Sequence, residues 1–345
     1  MSVSKLRQVQ IELTSRCNER CVHCYIPHNN GNQNIDSGLL RNILDQCWEM
    51  SLEQIVLSGG EPMLHPDFWE TIELAHWNNC KVRIFSNLTL LDDHLAGWLK
   101  KWNIYEVQTS LYSTEPVIHD AVTKIPGSCE KTKRGIETLV YKGIPVFISC
   151  PITKINKDSY PSVLSFAREL NLRSVPDNII MPQSNRNCGN LEYRLDIDEA
   201  IQVIQDILDN DTAYDAERFS PGYHNPDTAL PCVQNFCQNT LCINAKGEVV
   251  PLPEWDHVLG DLKKQTLRDI WKNSSKLKRL QIISLEDFPK CQSCHDIEFC
   301  GMSLGQNANE NEAGDPFIIP KYICELAKAT RELVHSHKNK QKETT

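Results

Sequence analysis

The sequence predicts an α/β protein, a partial (β/α)6 barrel followed by a small cysteine-rich C-terminal domain. Three observations carry that expectation. From residue 9 to about 182, short β-like runs alternate with amphipathic helical stretches, the pattern of a parallel sheet built from βαβ units. The runs have two phases, one of them polar, which suits an open barrel with a wet cavity better than a packed one. From about residue 231 the chain turns to cysteines, prolines and glycines around a hairpin-like "LCINAKGEVVPL" and a helical "TLRDIWKNSSKLKRLQ".

In chain order the predicted strands are "VQIEL", "QIVLS", "KVRIFSN", "YEVQTS", "IPVFISCPI" and "NIIMP". Helices are expected near 36–49, 66–78, 92–102, 129–142 and 158–170, with a further one near 196–209. In the first strand Val9, Ile11 and Leu13 alternate with Gln10, Glu12 and Thr14; in the fourth, Glu106, Gln108 and Ser110 share the polar phase. Cys150 falls in phase with Val146 and Ile148, which makes it a core thiol facing the helices. The loop-rich "FSPGYHNPDTALPC" marks a boundary. The expected division is 1–215 for the barrel and connecting helix, 216–335 for the cysteine-rich domain and 336–345 for a polar tail.

With 345 residues and 40% hydrophobic content the chain can bury a large core. No apolar run approaches bilayer-spanning length and no secretory lead is visible, so a cytoplasmic location is the expectation. The formal net charge of -9 argues against broad contact with nucleic acid or anionic membrane. Fifteen cysteines in a reducing compartment point to metal ligands or reactive thiols rather than disulfides. Cys47, Cys80, Cys129, Cys150 and Cys188 are scattered and read as small apolar residues. Nine others cluster at 17/21/24, 232/237/242 and 291/294/300, with Cys324 apart.

"TSRCNERCVHCY" carries Cys17, Cys21 and Cys24 just past the first strand, at the barrel end where such folds hold their chemistry. Three thiolates so spaced can wrap one face of an iron-sulfur cube and leave one iron without a protein partner. A structural zinc ion would need a fourth ligand, which His23 or His28 could supply. The second strand ends in Gly59, Gly60, Glu61 and Pro62, placing bare backbone and one carboxylate at the same end. Such a stretch lets a ligand approach the main chain and offers acceptors to an ammonium group.

These two motifs together resemble the radical S-adenosylmethionine (radical SAM) superfamily, over about residues 6–182. The resemblance implies that Cys17, Cys21 and Cys24 hold a 4Fe-4S cluster whose open iron takes SAM. It also implies that Gly59, Gly60, Glu61 and Pro62 hold the methionyl ammonium, that Tyr25 lies near the adenine, and that Asn87 and Ser110 contact the sugar or carboxylate. The activity implied is reductive cleavage of SAM to a 5'-deoxyadenosyl radical, which removes a hydrogen atom from substrate. One segment departs from the family pattern: Tyr112 and Ser113 replace an Asp-Gly, and Thr123 stands where an Arg for the SAM carboxylate is expected, with Lys124 beside it.

"CQSCHDIEFC" and the distant Cys324 resemble the SPASM/twitch extension that holds auxiliary iron-sulfur clusters. Cys291, Cys294, Cys300 and Cys324 complete one ligand set, while Leu252 and Leu304 stand where two ligands of a second cluster would fall. The implied content is therefore one auxiliary 4Fe-4S cluster with four cysteine ligands, a four-cysteine zinc site being the alternative. Cys232, Cys237 and Cys242 are left with three readings: core thiols, a further cluster site, or hydrogen-atom donors.

The resemblance implies a ribosomally made peptide as substrate, modified by a crosslink, a thioether or epimerisation. Oxidation or epimerisation of a small molecule such as an aminocyclitol is the alternative, and a non-catalytic iron-sulfur or zinc scaffold would leave Gly59 to Pro62 without purpose. The barrel begins near residue 6 with no leader-recognition segment ahead of it in this sequence. A peptide would then need a separate recognition protein, a groove on the rim or a short leader. A small electron donor such as flavodoxin or ferredoxin is the other expected partner.

Overall fold

The computed structural model describes residues 5–28, 32–210 and 237–343. The first part alternates β1 (Gln8–Thr14), α1 (Ser37–Glu49), β2 (Gln54–Gly59), α2 (Phe68–Trp77), β3 (Lys81–Phe85) and α3 (Asp93–Lys101). It continues through β4 (Glu106–Ser110), α4 (Pro116–Thr123), α5 (Ser128–Tyr141), β5 (Val146–Pro151), α6 (Tyr160–Glu169), β6 (Arg173–Asp177) and α7 (Ile197–Asn210). After the undescribed stretch come β7 (Thr240–Ile243), β8 (Glu248–Val250), β9 (Gly260–Asp261), α8 (Leu267–Asn273), α9 (Ser275–Gln281), α10 (Leu304–Asn309) and α11 (Lys321–Glu343). None of the described helices is long and apolar enough to cross a membrane.

Strands β1 to β6 lie parallel, each beside its predecessor, in a nine-stranded sheet ordered β6-β5-β4-β3-β2-β1-β7-β8-β9. The six-stranded barrel stays open because β1 takes β7 as its second neighbour, parallel, with Gln8 opposite Thr240 and Ile11 opposite Ile243. The cysteine-rich segment therefore extends the barrel's own sheet. Its hairpin, β7 antiparallel to β8, brings Cys242 into register with Gln10 and so onto that residue's face of the sheet.

The two phases of the strands separate as their polarity requires. Val9, Ile11 and Leu13 are fully buried in one core with Ile55, Leu57, Ile84, Val107 and Ile148, and the helices cover it. On the other face Gln10 donates to Ser58 Oγ at 2.9 Å, and Gln108 and Ser110 line an open cavity. The helices start where short acceptors satisfy their first amides: Asp36 accepts from Gly38 and Leu39, and Asp92 from Leu95. Cys150 is completely buried in the core beside Ile148, as its phase predicts.

Three elements differ from the sequence reading. The sixth strand is "RSVPD", not "NIIMP": Phe147 to Pro151 pair with Arg173 to Asp177, and Ile179 and Ile180 follow in a loop. Pro176 hides this strand from a propensity reading, yet proline is tolerated on the edge position β6 occupies. Helix α4 was not anticipated; it is two turns long and opens on Pro116, a favourable first helical residue. The last helix runs to Glu343, so most of the stretch read as a polar tail is helical.

Cys150→Ser tests the burial directly, since it places a hydroxyl without a partner in apolar surroundings. It lowers the unfolding free energy by about 1–3 kcal/mol in anaerobic urea titrations and leaves iron per chain unchanged.

Candidate active site

The end of β2 meets the beginning of the cysteine loop across a very narrow gap. Gly60 N donates to Thr14 O and Glu61 N to Arg16 O, each at 2.8 Å. A Cβ on Gly59 would lie 2.2 Å from Thr14 O, and one on Gly60 2.2 Å from Arg16 O. Gly59 also has φ of 135°, a left-handed conformation that disfavours other residues. Both glycines are thus demanded by the approach of two main chains, in addition to any ligand.

Glu61 has an unexpected role. It is fully buried, and its carboxylate accepts from Met63 N (3.1 Å), Ser86 Oγ (2.9 Å) and Asn87 N (2.9 Å), tying the end of β2 to the end of β3. Burial pushes its carboxyl up to about 7 against those three donors. Neither Glu61 nor the buried Pro62 is among the residues that line the cavity; Gly59 and Gly60 are. The side chain braces the backbone that faces the cavity.

The cavity itself, about 270 Å³, opens at the C-terminal ends of the strands. Its walls include Cys17, Cys21, Cys24 and Tyr25 from the loop, Ser58 to Gly60 from β2, Asn87, and Gln108 to Ser110 from β4. Asn87 donates to Asn18 Oδ1 at 2.9 Å and points the same amide at Cys17 Sγ, 3.8 Å away. Tyr25 donates its hydroxyl to Glu12 Oε1 at 3.1 Å. Arg20 clamps the loop by donating to Cys17 O (2.7 Å) and Glu19 O (2.8 Å). The loop is pinned from outside by α4, whose Val122 and Thr123 carbonyls accept from Val22 N and Arg20 N.

The departures from the family pattern also find their places. Thr123 is buried with its hydroxyl 2.7 Å from Ser128 Oγ, and Lys124 is exposed and outside the cavity wall. The arginines that do line the cavity are Arg16 and Arg20.

The loop chemistry fits an iron-sulfur cluster. Burial, reinforced by Glu61 and Glu19, pushes the Cys17 thiol up to about 12; burial raises Cys24 to about 11 and holds Cys21 well above its ordinary value. Such thiols ionise only against a strong positive charge, which bound iron supplies.

At the far end of the chain α11 returns Cys324 to the CxxC turn. Cys291 feels the charge of Cys294 and Cys324, and Cys324 that of Cys294, so the three are neighbours. Arg331 Nε on α11 holds Asp296 Oδ1 at 2.5 Å, fixing helix to turn, and Cys300 is buried at the end of the 3-10 turn Ile297–Phe299 that packs on α11.

Residues 11–167 match the Radical SAM superfamily and residues 232–296 the SPASM iron-sulfur cluster-binding domain. The chain carries a radical SAM domain followed by a SPASM domain. This radical SAM enzyme is 22% identical over 322 residues to an AdoMet-dependent heme synthase of Methanosarcina barkeri, covering 85% of this chain and 90% of the relative. It is 24% identical over 305 residues to a PqqA peptide cyclase of Gluconobacter oxydans, covering 83% and 82%. Among solved structures its fold resembles Streptococcus suis SuiB bound to precursor peptide SuiA (14% identity, TM-score 0.70, 93% of this chain and 76% of that one). It also resembles anSMEcpe with bound AdoMet and Cp18Cys peptide (17% identity, TM-score 0.72, 97% and 99%).

Of the remaining thiols, Cys232 lies outside the described residues. Cys237 and Cys242 are buried and absent from the cavity wall. Cys242 sits in electrostatic reach of Glu12, Glu254 and Cys237, and burial raises its thiol well above the ordinary value. The cavity wall also holds Glu19, which the sequence reading passes over and whose Oε1 is buried without a partner, and Tyr112, named there only as a departure from the family pattern, whose hydroxyl reaches Cys21 Sγ. Glu19 lies within the cysteine motif itself, which was the available signal.

Two outcomes follow. Gly60→Ala forces the loop off β2, costing about 3 kcal/mol or more in anaerobic unfolding and removing most of the loop-bound iron. Gly97→Ala in α3, where a Cβ meets nothing within 4 Å, is the control and stabilises by about 0.5–1 kcal/mol. Glu12, raised by burial and by Asp256 and Glu254 to about 8 from an ordinary 4.5, keeps its proton in the folded chain across a range where the unfolded chain has lost it. Stability therefore falls as pH rises through that window. Glu12→Gln, which imitates the protonated form, flattens the fall in urea midpoint between pH 5 and pH 8 relative to the unsubstituted protein.

Proposed function

We propose that this radical SAM enzyme removes a hydrogen atom from a ribosomally made peptide, leading to a crosslink, a thioether or an epimerised residue. The support is the three-thiol loop and the Gly59–Gly60 backbone facing one cavity, in a fold shared with peptide-bound relatives. When bound, the cluster and SAM supply the 5'-deoxyadenosyl radical that takes the hydrogen atom. Cys17, Cys21 and Cys24 hold the cluster. The main chain at Gly59 and Gly60 accepts the methionyl ammonium, with Glu61 and Pro62 holding that backbone in place. Tyr25 flanks the adenine, and Asn87 and Ser110 face the sugar and carboxylate. Arg16 and Arg20, the arginines on the cavity wall, bring positive charge to the SAM carboxylate.

Cys291, Cys294, Cys300 and Cys324 hold one auxiliary 4Fe-4S cluster within a domain spanning about 216–335. We place Cys237 and Cys242 in the core rather than in the reaction, because neither opens onto the cavity. The partners we propose are the peptide, with or without a recognition protein, and a flavodoxin- or ferredoxin-like electron donor in the cytoplasm. A second reading is favoured by the similarity to the Methanosarcina heme synthase: the same machinery acting on a small molecule.

Anaerobic reconstitution separates these assignments. The unsubstituted protein takes up about eight iron per chain and produces 5'-deoxyadenosine from SAM under strong reduction. Cys294→Ala retains about four iron and still cleaves SAM; the triple substitution of Cys17, Cys21 and Cys24 by Ala also retains about four but cleaves none. Mass spectrometry of a candidate peptide in heavy water then reads the outcome: loss of two hydrogens for a crosslink, or unchanged composition with carbon-bound deuterium for epimerisation. An unmodified peptide beside a modified small molecule selects the second reading.

A further inference from the structure

We propose that Tyr112 is a positioning residue for Cys21, whose hydrogen bond raises the reduction potential of the cluster held by Cys17, Cys21 and Cys24. The inference rests on reading that loop as the cluster site. Tyr112 stands just past β4 at a place where this chain departs from the family pattern, and only 4% of it is exposed. Its hydroxyl lies 3.7 Å from Cys21 Sγ, within hydrogen-bond reach of a sulfur acceptor. The ring is fixed edge-on to His23 and tilted against His119, with centroids 5.2 Å away in each case. Its carbonyl accepts from Asn156 Nδ2 at 2.8 Å, and its phenol is also hydrogen-bonded to Ser110.

The direction of the bond decides its effect. As a thiol, Cys21 donates to Glu19 Oε2 at 3.4 Å; as an iron ligand it has no proton left to give, and that bond is lost. Tyr112 is a donor toward sulfur and keeps its bond to the thiolate. One-electron reduction adds negative charge that the cluster shares with its sulfurs, so a donor aimed at sulfur stabilises the reduced form more than the oxidised one. Tyr112 itself is buried, so little water competes for its hydroxyl, which strengthens that preference. Cys17 receives comparable support from Glu19 N at 3.4 Å and Asn87 Nδ2 at 3.8 Å.

The test is a redox titration of the reconstituted holoenzyme with dithionite and dye mediators, followed by electron paramagnetic resonance. The signal that changes on adding SAM reports the three-cysteine cluster. Tyr112→Phe keeps the ring and removes the hydroxyl. The expected result is full iron content, an unmoved auxiliary signal, and reduction of the SAM-responsive cluster made about three- to tenfold less favourable. An unchanged potential at full iron content overturns the inference. 3-Fluorotyrosine at position 112, a stronger donor of nearly the same shape, shifts the potential the opposite way; its failure to do so overturns the inference even where Tyr112→Phe loses iron. Absence of any SAM-responsive signal in the unsubstituted protein overturns the loop reading, and this inference with it.

Discussion

The site depends on a seam between two stretches of main chain. Because Gly59 and Gly60 carry no side chains, the end of β2 can lie against Thr14 to Cys17 closely enough for Gly60 and Glu61 to donate across the gap. That contact sets where the cysteine loop leaves β1. From there the geometry propagates through single bonds: Glu61 reaches Ser86 and Asn87 at the end of β3, and Asn87 reaches Asn18 and Cys17 on the loop. The loop is thereby held by three consecutive strands and, on its outer side, by α4. A ligand arriving in the cavity finds its backbone and its thiols already ordered, which limits the entropy lost on binding.

The electrostatics of the cavity favour a positively charged occupant. Glu12, Glu19 and Glu61 are all raised by burial, to about 8, 7 and 7, and the three loop thiols are raised as well. Near neutral pH burial therefore keeps the three thiols and most of Glu12 protonated and leaves Glu19 and Glu61 only partly ionised. Bound iron would reverse that balance by ionising Cys17, Cys21 and Cys24, and a sulfonium held beside them would add positive charge. Arg16 and Arg20 line the same cavity but lie toward solvent, which leaves them available to an anionic group without neutralising the interior.

Much of this architecture was legible in the sequence because parallel strands flanked by helices carry their partition in their polarity. The phases of β1 and β4 foretold both the core and the wet cavity, and the cysteine and glycine motifs marked the correct end of the barrel. What was missed is equally physical. β6 is an edge strand whose pairing with β5 outweighs its poor propensity, so the apolar "NIIMP" next to it was the stronger local signal. In the sequence Glu61 offers an acceptor to an ammonium group; which way a side chain turns at a strand end depends on the loop after β3, 25 residues away in sequence. Tyr112 was noticed only as a departure, since a bond to Cys21 spanning 91 positions has no local signature.

The C-terminal cysteines raise a different question, namely why two expected ligand positions hold leucine. Leu304 is fully buried, Leu252 packs against the same core, and a Cβ on the intervening helix residue Gly305 would lie 3.1 Å from Trp255 and 3.5 Å from Leu252 Cδ1. Cys237, buried nearby with its sulfur 3.9 Å from Pro251 O, belongs to that core as well. The space between the hairpin and α10 is therefore filled by close apolar contacts, which are favourable when complete and costly to open. A cluster there would have to displace Leu252 and Trp255 from their packing, with leucines in place of two of its ligands. Cys291, Cys294, Cys300 and Cys324 lie instead on elements already joined by the Arg331–Asp296 ion pair. The packing around Leu252, Leu304 and Cys237 ties the hairpin, and through β7 the first strand of the barrel, to the C-terminal helices.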